Sequence, residues 1–297
     1  MILMSAPVSW DDQRVFLAVV EEGSLSGAAR RLGLAQPTAR ARVEALEQAL
    51  GTVLFTRSSQ GLLPTDAARA LHEHARAMAH ASDAFLRAAS APPGAVAGTV
   101  RVSVSEMVGL MVLPPMLARL RARHPGLTLE VVLSNAAANL AEQEADIAVR
   151  MHAPAQDTLV QRKVGEVALG LFAHRDYLAA RGAPTTPADL ADHDLIGPDR
   201  SQADRRIEAA LLPVGARVVM RTDSHPAQCA AARAGLGIAV VQRPVGLADP
   251  DLVPVLPDLA VGAIAVFLVT HRDLRHVPRV RASFDHLAEE FARYTRG

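Results

Sequence analysis

Cysteine is almost missing from this chain of 297 residues, Cys229 being its one thiol. No intramolecular disulfide can form, nor any cysteine-based zinc cage, so a reducing compartment fits best. Net charge is missing as well, because 31 Lys and Arg balance 31 Asp and Glu. A globally basic protein that coats nucleic acid is excluded, and any site for a polyanion has to come from local placement. Lysine is reduced to Lys163, so nearly all positive charge is arginine, which reads as coding bias before any demand for guanidinium. The opening MILMSAPVSW lacks the basic flank and apolar run of a secretory signal, and the longest apolar stretch, Val261–Val269, is about half a membrane helix. These absences predict a cytoplasmic protein with no membrane partner. What is present is hydrophobic substance, 50% of residues against 21% charged, which excludes disorder and suffices for two domains at about 100 to 200 residues each.

Val15, Phe16, Val19 and Val20 form a helical stripe over 11–22, closed by Gly23. Ser24 or Ser26 can cap a second helix with Ala28, Ala29 and Leu32 inward, ending at Gly33. Gln36 and Pro37 open a third helix that runs to Leu50, with Gly51 as its stop, since proline's missing N–H costs nothing at a first helical position. Three short helices joined by tight glycine turns predict a helix-turn-helix. A short strand at 53–56, a polar turn at 57–61 and a second short strand predict a wing. Thr65 can cap the next helix, which meets no Gly or Pro before about Ala89. Its Leu71, Ala75, Met78, Ser82 and Phe85 recur at heptad spacing and predict a seam between two chains, the alternative being a helix packed on its own domain. Pro92, Pro93, Gly94 and Gly98 then make a hinge.

From Gly98 onward strands alternate with helices, which predicts a mostly parallel sheet covered by helices. Val164–Ala173 is a long apolar strand that crosses into a second lobe, and Val261–Val269 returns. Lobe one is expected at about 98–163 and 266–297, and lobe two at about 164–265. A ligand cleft belongs at the strand carboxyl ends.

The stretch from Phe16 to Arg57, with its Gly-Ser turn, its Ala-Ala on helix two, its Gln-Pro opening helix three and its closing Leu-Glu, Leu-Gly, Leu-Phe and Arg, resembles the LysR-type transcriptional regulators. GLLPTDAAR is similar to the threonine-led start of that family's linker helix. Leu113–Pro125, Asp146–Arg150, His193–Gly197 and Ala234–Ile238 look like its later landmarks. The resemblance covers nearly the whole chain. It implies an α/β protein with a winged helix-turn-helix (1–65), a dimerising linker helix and hinge (66–97), and a two-lobed effector-binding domain resembling type 2 periplasmic binding proteins (98–297). It also implies a double-stranded operator with two half-sites, a homodimer or tetramer, a small-molecule effector, and neither cofactor nor metal. Ala35 stands where the family usually has a capping serine, leaving that cap to Gln36 or a water. Ala41 replaces a frequent arginine and Ala68 a frequent glycine.

Residues 1–65 hold six arginines and six acids, so placement decides where DNA would bind. Gln36, Pro37, Thr38, Arg40 and Arg42 occupy the N-terminal half of helix three, where first turns point at base edges. Arg40 and Arg42, two residues apart, do not share a face, and one is expected to read a base and the other a phosphate. Arg57, Ser58 and Gln60 in the wing are candidate backbone or minor-groove contacts. For the effector, strand ends nominate Ser105 and Glu106, Met151 and His152, and Thr222, Asp223 and Ser224, with ordinary helix capping as the competing reading. Enzyme motifs are absent or broken. GSLSG at 23–27 puts Leu25 at the nucleophile position, GLGIAV at 235–240 ends in valine, and HEH at 72–74 lacks metal-ligand spacing. Asp192, His193 and Asp194 read as a loop landmark. The rival reading is a two-lobed α/β small-molecule-binding protein or enzyme with an N-terminal helical extension.

Overall fold

The computed structural model describes residues 8–58, 61–89, 94–135, 145–151, 159–213 and 215–296. The chain divides after residue 86 into two compact units.

In the first unit α1 (Trp10–Glu22), α2 (Leu25–Leu32) and α3 (Gln36–Leu50) precede the hairpin β1 (Phe55–Ser58) and β2 (Gly61–Pro64), then α4 (Asp66–Ala89). Each helix boundary has a local cause. Ser9 caps α1 and Ser24 caps α2, each accepting a backbone N–H three residues on, while Gly23, Gly33 and Gly51 end the three helices in the left-handed conformation. Ala35 gives α3 no side-chain cap, and Gln36 does not replace it. None is needed: Pro37 has no N–H to satisfy, and the Thr38 N–H donates to the Ala35 carbonyl at 3.0 Å. The hairpin starts two residues later than its apolar pattern suggests, because the N–H groups of Leu54 and Phe55 donate to Glu47 Oε1 at 2.6 and 3.2 Å. Gly61 is obligatory by proximity, since a Cβ there would lie 2.8 Å from the Gly23 carbonyl oxygen.

Val15, Val19, Ala28, Ala39 and Val43 pack the three helices together. A second cluster joins Phe16, Leu17, Leu46 and Leu54 to Ala68 and Ala75, with Leu71 and Ala79 packed against it. The expected seam on α4 is therefore corrected in its first half. Leu71 and Ala75 already have partners inside their own domain, because they lie on the face shared with Ala68. Beyond Ala79 the helix outruns that domain, and Met78 and Phe85 remain exposed.

The second unit contains β3 (Gly98–Val104), α5 (Glu106–Met111), α6 (Leu113–Arg123), β4 (Leu127–Leu133), β5 (Ile147–Arg150), β6 (Leu159–His174), α7 (Arg175–Arg181), β7 (Asp194–Gly197), α8 (Gln202–Leu211), β8 (Arg217–Arg221), α9 (His225–Arg233), β9 (Ile238–Gln242), α10 (Arg243–Ala248), β10 (Leu252–Val255), β11 (Ala263–His271) and α11 (Pro278–Tyr294). The strands run in the order β4-β3-β5-β11-β6-β9-β7-β8, with β10 beside β6. The β3–β4, β3–β5, β7–β8 and β7–β9 pairs are parallel, whereas β6 and β11 run antiparallel to each other and to their other neighbours. The expected parallel sheet is thus two parallel halves joined by two antiparallel crossings. β6 begins at Leu159, earlier than its apolar run, because its polar first residues pair with β11 and carry exposed side chains. The landmark Asp146–Arg150 is a fastener within the first half. Asp146 Oδ2 accepts the Arg101 N–H at 2.8 Å, and Arg150 donates to the Ser103 hydroxyl at 2.9 Å.

Candidate DNA interface and effector site

The first turns of α3 leave Gln36, Pro37, Thr38 and Arg40 exposed while Ala39 and Val43 turn inward. Arg40 makes no ion pair or hydrogen bond among the described residues, and neither does Arg57 on exposed β1. Arg42 is corrected. It reaches back to the first turn of α1, with its guanidinium 3.1 Å from Asp12 and 3.3 Å from Asp11. At about 100° per residue it lies some 200° around the helix from Arg40, so it braces α3 against α1 and leaves Arg40 as the outward cation. Of the wing residues, Ser58 ends β1, paired with Gly61, and Gln60 lies outside the described residues. Arg30 on α2 is also exposed and makes no ion pair among the described residues, whereas its neighbour Arg31 is tied to Glu21 and Glu22; the sequence reading counted Arg30 but gave it no role.

In the second unit the strand ends do converge, but most of their polar groups are already used. Ser105 takes the N-cap position of α5 without making a capping bond, so its hydroxyl is uncommitted among the described residues. The Glu106 N–H, expected to face a ligand, instead donates to Asn135 Oδ1 at 3.0 Å. The Glu106 carboxylate accepts from the Ser224 hydroxyl at 3.2 Å, a bond from the β3 half of the sheet to the start of α9 on the β7 half. Thr222 accepts the Ser224 N–H at 3.2 Å. Asp223 is corrected as an effector ligand, because its carboxylate accepts the N–H groups of Asp199, Arg200 and Ser201 at 2.9 to 3.0 Å. Those donors, Ser201 foremost, hold its pKa below the usual carboxylate range. Met151 is half-buried against the main hydrophobic core. His152 lies outside the described residues.

Two residues that the sequence reading passed over complete the site. His225 Nε2 and Asp204 Oδ2 stand 3.1 Å apart at the rim, where the hydrogen bond to Asp204 raises the imidazole's pKa and lowers the carboxyl's. Nothing in the spacing of His225 and Asp204, 21 residues apart, announces the pair. Behind them lies a cavity of about 80 Å³, walled by side chains of β6, β7, β9 and α8. Asp194 binds Arg181 and Arg217 and holds Tyr177 through its own N–H, so the Asp192–Asp194 landmark is structural. Among the described residues no cluster of His, Cys, Asp and Glu could hold a metal, and no helix is long and apolar enough to cross a membrane.

Comparison with known proteins agrees with this geometry. The family described as bacterial regulatory helix-turn-helix protein, lysR family, matches residues 10–69, and the LysR substrate binding domain matches residues 93–292. An HTH-type transcriptional regulator of Xanthomonas campestris pv. campestris is 32% identical over 183 residues, which is 62% of this chain and 53% of that protein. The match thus spans about half the length of that relative. An uncharacterized HTH-type transcriptional regulator of Haemophilus influenzae is 26% identical over 273 residues, covering 89% of this chain and 94% of that one. Among solved structures, CbnR, a LysR family transcriptional regulator, aligns with a TM-score of 0.69 at 22% identity, covering 95% of this chain and 99% of that chain. Its structure complexed with target DNA gives a TM-score of 0.67.

Proposed function

The chain belongs to the LysR family of bacterial helix-turn-helix proteins, and from that premise we propose that it is a transcriptional regulator whose operator binding is set by a small molecule held where the two halves of its C-terminal sheet meet. One observation carries the reading: the exposed first turns of α3 offer Gln36, Thr38 and an unpaired Arg40, on a helix braced from behind by Arg42. Donors in that position suit base edges in a major groove, and Arg40 is the base-reading residue. Arg57 on the wing contacts the phosphate backbone. In this reading the chain acts in the cytoplasm, on DNA, without catalysing a reaction.

Two chains act together. Helices of 24 residues extend about 36 Å, and the exposed Met78 and Phe85 on the outer half of α4 supply the apolar seam through which two copies present two recognition helices to two half-sites. The effector lies beside the Glu106–Ser224 bond, and by altering that bond shifts the balance between two lobe arrangements. Mobility shift with the DNA flanking its own gene tests the reading. Wild type is expected to bind at a defined site, and Phe85→Arg to run as a smaller species in light scattering and lose full-site affinity. Binding without sequence preference would overturn it.

A further inference from the structure

The helix α8 is amphipathic and lies over a sheet, yet none of its residues is buried. An amphipathic helix ordinarily hides its apolar face against what it covers. Here Ile207 and Leu211 look into the cavity beneath, whose other walls are Leu169, Leu171, Leu195 and Ile238. Packed interiors leave few such voids, and apolar voids stay dry and accept apolar guests. Ile207 and Leu211 are only half-seated on the cluster of Leu169, Leu171, Leu195 and Ile238, and the helix is fastened at its edges as well. Asp223 grips the backbone before it, Ser201 caps it, and Glu208 forms a two-pronged salt bridge with Arg221 at 3.0 and 3.1 Å. A half-seated roof fastened at its rim over an apolar cavity is a receptor geometry.

The rim fixes the charge of the guest. The lining includes Asp204 and Glu208 but no lysine or arginine, and its one imidazole, His225, is engaged by Asp204. Glu106 lies beyond, bound to Ser224. Asp204 is paired with His225 and Glu208 with Arg221, so a carboxylate entering here finds no free cation among the described lining residues and its desolvation goes uncompensated. Gln228 and Gln242 also line the cavity; Gln228 Nε2 donates to the Thr222 carbonyl at 2.6 Å and Gln242 Oε1 accepts from the Tyr294 hydroxyl, which leaves the Gln228 side-chain carbonyl as a neutral acceptor.

We propose that the cavity under α8 receives the apolar body of an uncharged effector, an aromatic ring or short aliphatic chain bearing one hydrogen-bonding group that stays at the Gln228 side of the rim. The assignment rests on the regulatory reading above and adds to it the chemical class of the signal. Occupancy presses on Ile207 and Leu211, and α8 transmits the displacement to the Asp204–His225 and Glu208–Arg221 contacts at the cleft.

The test compares benzyl alcohol with benzoate, two probes of one shape and different charge, titrated calorimetrically into the full-length protein. Benzyl alcohol is expected to bind at least about tenfold more tightly than benzoate. Ile207→Trp and the milder Leu211→Phe, which fill the void, are each expected to weaken benzyl alcohol by about tenfold or more while retaining wild-type circular dichroism. Benzoate binding as tightly as the alcohol, or undiminished binding by both folded variants, would overturn the assignment. A parallel mobility shift without probe keeps the two readings apart. Site-specific DNA binding with no binding of benzyl alcohol removes the cavity proposal alone, and binding of benzyl alcohol without specific DNA binding removes the regulatory reading and leaves the cavity standing.

Discussion

The recognition helix and the effector cleft handle their polar groups in opposite ways. On α3 the outward side chains, Arg40 among them, are free among the described residues, and the bracing is done by a residue on the far side, Arg42. At the cleft nearly every polar group is taken: Asp223 by three N–H groups, Glu106 by Ser224, His225 by Asp204. A surface made for a polyanion can leave its cations in water at little cost. A site that must respond has to begin with bonds that a ligand can exchange, because a ligand shifts an equilibrium only through its differential affinity for two states.

The sharpest way to break this contrast is Arg40→Ala. Loss of a bidentate base contact is expected to weaken specific DNA binding by about 1 to 3 kcal/mol, read by mobility shift, with the melting temperature unchanged. If Arg42→Ala weakened DNA binding as much, the division of labour on α3 would be wrong. At the cleft, Ser224→Ala removes a bond that joins the two halves of the sheet. A loss of about 0.5 to 1.5 kcal/mol in urea unfolding of the second unit is expected, with effector-free DNA affinity shifted toward that of the effector-bound protein. An unchanged unfolding midpoint would mean that the bond holds nothing together. Arg42→Ala should cost up to about 1 kcal/mol of stability, since both its ion pairs are partly exposed, and should do so less at high salt.

The smallest effect expected is one of pH. The imidazole of His225 is raised above its ordinary 6.5 by Asp204, so its contribution is complete below that value and fades as pH rises through the raised pKa. Asp204 is lowered from 3.8, so its contribution holds above that value and is lost as pH falls through the lowered pKa. Between those limits the melting temperature of wild type should exceed that of His225→Gln, and the gap should close toward alkaline pH. A gap constant from pH 6 to 9 would show that the pair is not an ion pair in solution.

How much of this was legible in the sequence depended on the distance between partners. The bounds of α3 could be read because Pro37 and Gly51 act on their own backbone, and the turn at Gly23 and Ser24 for the same reason. The family resemblance gave the order of the domains. Commitments across long separations could not be read: Arg42 with Asp12, 30 residues apart, and Ser224 with Glu106, 118 apart. Each of these residues carries a type suited to a ligand, and only folding reveals that the place is occupied. The first half of the α4 stripe could not be read for another reason. A heptad pattern records which face is apolar, but not that Ala75 meets its own domain while Phe85 extends past it.

The crossing strands have one more implication. Gly165 on β6 and Val266 on β11 are direct partners in the ladder, beside a bulge between Val266 and Phe267. The chain thus leaves the first half and comes back to it through adjacent residues, so everything between is a cassette whose two ends already touch. Exchange of that cassette also has to rebuild the core it shares with the first half, where Phe172, Ile196 and Val241 cluster with Val102, Leu268 and Phe291. A foreign segment spliced at these two positions inherits both junctions in place and brings its own ligand preference, leaving the helices that read DNA with their sequence untouched.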